Sequence, residues 1–224
     1  MRKRLFVSIL TVVVLFTFSA CRHLGKGVQG SGVRKTEKRD LGSFTSIQAS
    51  GAYEMKVTCQ QAGSFEIEGD DNILPLIKTE VRDGVLHILN EKSYNPTTVI
   101  MVRIGLADLN RFTSNGAGDV SITNVKNDKL SINSTGATKI KVDGQTRLAE
   151  INVPGAAKID ASNLRAERAA VTVTGAAQVD VYASQQLDVT VSGVGQVAYY
   201  GNPGVVNKNV TGLGNVTKKE SGGN

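Results

Sequence analysis

Between residues 109 and 218, apolar and polar positions alternate in short runs and then pause at a glycine, and the whole unit repeats every 18 to 20 residues. Four positions before each glycine stand Phe112, Ile132, Ile151, Val171 and Val189, with Lys208 breaking the series. Four positions after stand Val120, Ile140, Ile159, Val179, Val197 and Val216. Runs such as Ile151-Asn152-Val153 and Val179-Asp180-Val181 carry the period of two expected of a strand with one face inward. Two apolar columns therefore form when the units stack, and each unit holds at least two short strands.

The glycines are Gly116, Gly136, Gly155, Gly175, Gly193 and Gly212, and Ser50-Gly51-Ala52 opens in the same way further upstream. A period of 18 to 20 residues suits one turn of a β-solenoid and is too short for a helical repeat. Glycine supplies positive φ at a tight corner, and a small residue follows it, Ala in four of the six copies. Val, Ile, Thr and Asn fill the rest and favour extended chain over helix. The stretch Leu164 to Ala170 can make a helical turn or the third side of a coil.

The less regular part, 41–108, offers strands at 44–47, 52–59, 64–68, 85–89 and 98–104, with 72–80 either a short helix or an extended link. The 65 residues between Gly51 and Gly116 leave room for about three irregular coils, which makes 41–218 one continuous solenoid. Residues 21–40, with Gly25, Gly27, Gly30 and Gly32, read as a flexible tether, and 219–224 as a frayed tail.

Residues 1–20 carry another signal. A basic head, Arg2-Lys3-Arg4, precedes a mostly apolar run from Leu5 to Phe18 and then Ser19-Ala20-Cys21. This combination resembles the signal peptide of a bacterial lipoprotein, with Cys21 lipidated as the first mature residue; an ordinary signal peptide cut near Ala20 is the alternative. The apolar run is short for a membrane-spanning helix.

Export changes the charge balance, because Arg2, Lys3 and Arg4 supply three of the six net positive charges. The remaining lysines are spread among acids with no basic tract interleaved with aromatics, so nucleic acid is not implied as a partner. Once Cys21 is lipidated Cys59 stands alone, and its place after Tyr53, Met55 and Val57 puts it on the inside of a strand. Neither His23 nor His87 has a partner at metal-ligand spacing, and no cofactor or metal is expected.

One pattern points toward chemistry. Five positions after the glycines stand Ser121, Lys141, Asp160, Asp180, Ala198 and Thr217, so stacking makes Asp160 and Asp180 neighbours about 5 Å apart with Lys141 beyond. Such a pair can serve glycoside hydrolysis or hold a cation. It can equally be a solvated ladder, and neither Trp nor an evident tyrosine series lies beside it for stacking sugars.

With these repeats, the Ser-Gly-Ala at 50–52 and the exported N-terminus, the chain from 44 to 216 resembles the autotransporter adhesin, head GIN domain family. That resemblance implies an all-β fold, a single-stranded right-handed parallel β-helix with coils of about 18 to 20 residues. It also implies an envelope lipoprotein of Bacteroidetes-type bacteria, anchored in the outer membrane and facing either the periplasm or the outside. The reading is a binding, adhesive or structural domain that meets an envelope glycan or protein and is not an enzyme. The alternative is a polysaccharide hydrolase or lyase using Asp160 and Asp180. The C-terminal end reads as a cap on a monomer or as a dimer interface.

Overall fold

The computed structural model of the chain describes residues 27–220. From Arg111 onward the backbone winds as a parallel β-solenoid, with strands Ala117–Ser134, Ala137–Val153 and Ala156–Val173 each running round a coil and pairing in parallel with the next. The two sequence columns are the core. Phe112, Ile132, Ile151, Val171 and Val189 lie in register and buried, and so do Val120, Ile140, Ile159, Val179 and Val197. Burying each such side chain is worth about 1.5–3 kcal/mol. Leu164 to Ala170 is strand, the third side of its coil.

The corner glycines serve a purpose other than the one the sequence suggests. Of the seven, only Gly51 has a positive φ, +142°. At Gly116, Gly136, Gly155, Gly175, Gly193 and Gly212 a Cβ would lie 1.7 to 2.4 Å from a backbone oxygen of the coil stacked beneath. Glycine is required there because one backbone rests directly on another. The residue after each glycine points outward and is exposed.

The beginning of the stack departs from the expected order. Ser46–Ala49 pairs in parallel with Arg111–Ser114, and Glu54–Thr58 with the start of Ala117–Ser134, so the Gly51 coil sits directly against the Gly116 coil. On its other side the same coil pairs with Val85–Asn90 and Met101–Gly105. The intervening 65 residues are thus one parallel coil and an antiparallel cap, in place of three irregular coils. Ser64–Asp70 lies antiparallel on Met101–Gly105, and Ile77–Arg82 on Val85–Asn90. The segment 72–80 divides into a 3-10 turn, Leu74–Leu76, and the first part of strand Ile77–Arg82.

The tether assigned to 21–40 ends earlier than expected. Arg34–Lys38 is a strand paired antiparallel with Ser64–Asp70, and Val28–Gln29 pairs with Tyr94–Asn95. Buried Asp70 pins this segment by accepting hydrogen bonds from the Gly32 and Thr97 amides, 2.8 Å each, and from the Thr97 hydroxyl. These bonds, that of the Thr97 hydroxyl first, hold its carboxyl below the usual carboxylate range. Gly30 faces Asp70 too closely for any Cβ, so composition that suggested flexibility reflects tight packing.

Candidate functional site

The solenoid presents its polar side chains as straight columns, one residue per coil, about 4.8 Å apart. One column runs Ser121, Lys141, Asp160, Asp180, Ala198 and Thr217, with Lys141 opposite Asp160 and Asp160 opposite Asp180. The two carboxylates are therefore neighbours, as the spacing predicts. Their partners differ. Asp160 Oδ1 accepts from the Ser162 hydroxyl at 2.6 Å and the Ser162 amide at 3.3 Å, whereas Asp180 Oδ1 pairs with the Lys219 ammonium at 3.3 Å. That pairing raises the Lys219 pKa above its ordinary value.

A hydrolytic pair needs one carboxyl free to give a proton to a substrate held between the two. Here each carboxylate is turned to its own protein partner on a flat sheet face. A cavity of about 170 Å3 opens between Lys56, Ser121 and Lys141 and does not include Asp160 or Asp180. Arg165 and Arg168 belong to another side of the coil: Arg165 lies over the Tyr182 ring at 4.4 Å, and Arg168 is in register with Gln186. Among the described residues no group of three His, Cys, Asp or Glu side chains converges as metal ligands would.

Two arrangements escaped the sequence reading. Tyr182 and Tyr200 occupy adjacent rungs, and Tyr182 borders an open groove of about 440 Å3 with Lys126, Gln145 and Arg165. Tyr182 and Tyr200 both stand seven positions after their glycines, whereas the bulge after Ile122, with Asn124 at φ +60°, shifts the register of the coil that brings Lys126 to the groove. The second arrangement is a column without charge: Thr113, Asn133, Asn152, Thr172, Thr190 and Asn209, three positions before each glycine. Beside it, at the corner, stand Asn115, Thr135, Pro154, Thr174, Ser192 and Thr211, all exposed. Counting back from the glycines would have revealed both of these rows.

Cys59 is fully buried, and burial pushes its thiol up to about 11, with Asp108 and Asp143 adding to the effect. His87 is an ordinary half-buried strand residue between Gln48 and Glu80. Cys21 and His23 lie outside the described residues.

Solved structures share this architecture. A crystal structure described as a "putative adhesin" from Bacteroides fragilis is 25% identical, with a TM-score of 0.72 over 86% of this chain and 100% of its own. Another, from Parabacteroides distasonis and described as a "putative lipid binding protein", is 21% identical with a TM-score of 0.51, covering 86% of this chain and 99% of its own. No curated protein matches the sequence. The family described as "Putative auto-transporter adhesin, head GIN domain" matches residues 43–203, most of the coiled region described above, and the chain belongs to that family.

Proposed function

We propose that this chain is an exported envelope lipoprotein, attached to the membrane through Cys21, whose solenoid works as a non-catalytic binding and adhesive surface. The observation that carries the reading is the in-register stacking of outward side chains, from Ser121 to Thr217 and from Thr113 to Asn209, which repeats the same chemistry on successive coils. A surface of this kind suits a large or repeating partner, met by many modest contacts whose strengths combine. The B. fragilis relative, described as a "putative adhesin", supports the same class. Asp160 and Asp180 contribute to this surface and to its packing, with no catalytic step assigned to them.

The N-terminal pattern of basic head, apolar run and Ser19-Ala20-Cys21 supports attachment by lipid, with the partner an envelope glycan or protein. Metabolic labelling with a fatty acid in the native cells tests the anchor: the parent carries label, and Cys21→Ala does not. Adhesion of cells with and without the protein to a glycan- or protein-coated surface tests the solenoid. Equal adhesion by both strains refutes the binding reading, and labelled Cys21→Ala refutes the anchor.

A further inference from the structure

Resting on the binding reading above, we infer that the charge-free face containing Thr113, Asn133, Asn152, Thr172, Thr190 and Asn209 is the ligand-binding face, and that its ligand is an uncharged, hydroxyl-rich linear polymer, a neutral polysaccharide. The six side chains are in parallel register along the solenoid and span about 24 Å at ~4.8 Å per rung. The corner row beside them is also without charge, which doubles the width of the strip.

The strip stands out against its surroundings. The column on one side contains Arg111, Glu150 and Asp188; on the other, past the exposed, uncharged row that follows the glycines, the next column contains Asp119, Lys139 and Lys158. The charged columns on either side therefore bound an uncharged strip. A charged polymer lying on the strip would lose hydration and gain no opposite charge in return, while both signs at the margins would repel it in part. An uncharged polymer bears neither penalty.

The chemistry of the side chains agrees. Thr hydroxyls and Asn amides each donate and accept, as sugar hydroxyls do. Along the column the only side-chain hydrogen bond among the described residues runs from Asn152 Nδ2 to Asn133 Oδ1 at 3.3 Å, which leaves the threonine hydroxyls available. Thr is stiff at χ1 and every residue stands on a paired strand, so little freedom is lost on binding. The polymer lies along the solenoid axis, across the strands, because only that direction repeats the same donor and acceptor at each rung.

The test is affinity electrophoresis of the full chain in detergent, through gels containing dextran, mannan or galactan, with alginate and polygalacturonate as acidic counterparts. At least one neutral polymer retards the chain, and retardation is unchanged by added salt. Thr172→Val and Thr190→Val keep shape and strand preference but each removes a hydroxyl; together they weaken binding about tenfold, the loss expected when two hydrogen bonds to the polymer are removed. Asn152→Asp, nearly isosteric, weakens it as well. Lys139→Ala and Lys158→Ala on the neighbouring face leave it unchanged, and circular dichroism confirms that all variants are folded. Binding confined to acidic polymers and lost in salt overturns the inference, as does retardation by no neutral polymer, or neutral binding indifferent to the threonine changes. Cells carrying Thr172→Val and Thr190→Val that still adhere like the parent overturn this inference alone, whereas cells whose adhesion never depended on the protein overturn the binding reading with it.

Discussion

Replacing Gly136 by Ala adds one methyl group at the tightest contact between coils. Its Cβ would stand 1.7 Å from the carbonyl oxygen of Gly116, about half of an ordinary van der Waals separation. That same oxygen accepts the hydrogen bond from the Ala137 amide at 2.9 Å, so moving it away also loosens the bond that holds the two coils at this corner. Overpacking of a well-packed site costs about 1–3 kcal/mol. A buried backbone group left without its partner adds about 1–3 kcal/mol. The expected loss is therefore about 2–6 kcal/mol, and at about 2–4 °C per kcal/mol for a domain of this size the melting temperature falls by about 4–24 °C. Gly63→Ala is the control, because nothing lies within 4 Å of its Cβ and its φ is not in the positive range; it should be neutral or stabilising by up to about 1 kcal/mol. Thermal and urea denaturation followed by circular dichroism measure both. A Gly136→Ala protein that melts with the parent would show that the coils part at no cost, and the close-contact explanation of the repeat glycines would be wrong.

Other outcomes follow from the same structure. Cys59, with its thiol raised to about 11 by burial, should resist alkylation at pH 8 in the folded protein and react once urea unfolds it; rapid labelling of native protein at that pH refutes the burial argument. Asp160→Ala and Asp180→Ala should each stay folded, Asp160→Ala within about 0.5 kcal/mol of the parent and Asp180→Ala within about 1 kcal/mol for the loss of the Lys219 pair; a polysaccharide-cleaving activity that either change abolishes in folded protein would restore the enzymatic alternative. Lys208 takes the place of an inward apolar residue opposite Val189 and donates to the Val216 carbonyl at 3.1 Å, beside exposed Val205, Val210 and Leu213 on the last coil. Lys208→Val should promote association through that free edge, seen as a rise in light scattering with concentration; unchanged scattering would remove the guarding role of the lysine.

The regular coils were legible because one residue type recurs at one height in every turn. Phe112, Ile132 and Ile151, or Val120 and Ile140, could be aligned by counting, and parallel register preserves such counts. The cap was not legible in this way, since antiparallel strands bring together residues whose separation varies along the pair. Its best local signal was Asp83-Gly84, both at positive φ, φ 52° and 72°, between two alternating strands: a two-residue hairpin turn. The strand Arg34–Lys38 is almost wholly charged, Arg-Lys-Thr-Glu-Lys, and hides among its neighbours' ion pairs. Arg34 meets Glu68, and Arg39 meets Glu37 at 3.1 Å. Of the candidate site, the Asp160–Asp180 adjacency followed from spacing. The hydrogen bonds that occupy each carboxylate did not, because spacing fixes which residues share a column and not the neighbour toward which a side chain turns, here Ser162 for Asp160 and Lys219 for Asp180.

The Gly51 coil is shared between two neighbours that both come later in the chain, and this makes it a keystone. During synthesis or export the chain emerges from its N-terminus, and 46–58 must wait with both edges open until Val85–Asn90, Met101–Gly105 and Arg111–Ser114 arrive. Closing the Gly51-to-Gly116 contact spans 65 residues where later coils span 18 to 20, which costs about 1 kcal/mol more in loop entropy. Once it closes, every further coil is laid on a finished template, one short step at a time. The number of regular turns is therefore free to change between relatives by whole repeats, while an insertion or loss inside the keystone disconnects the cap from everything above it.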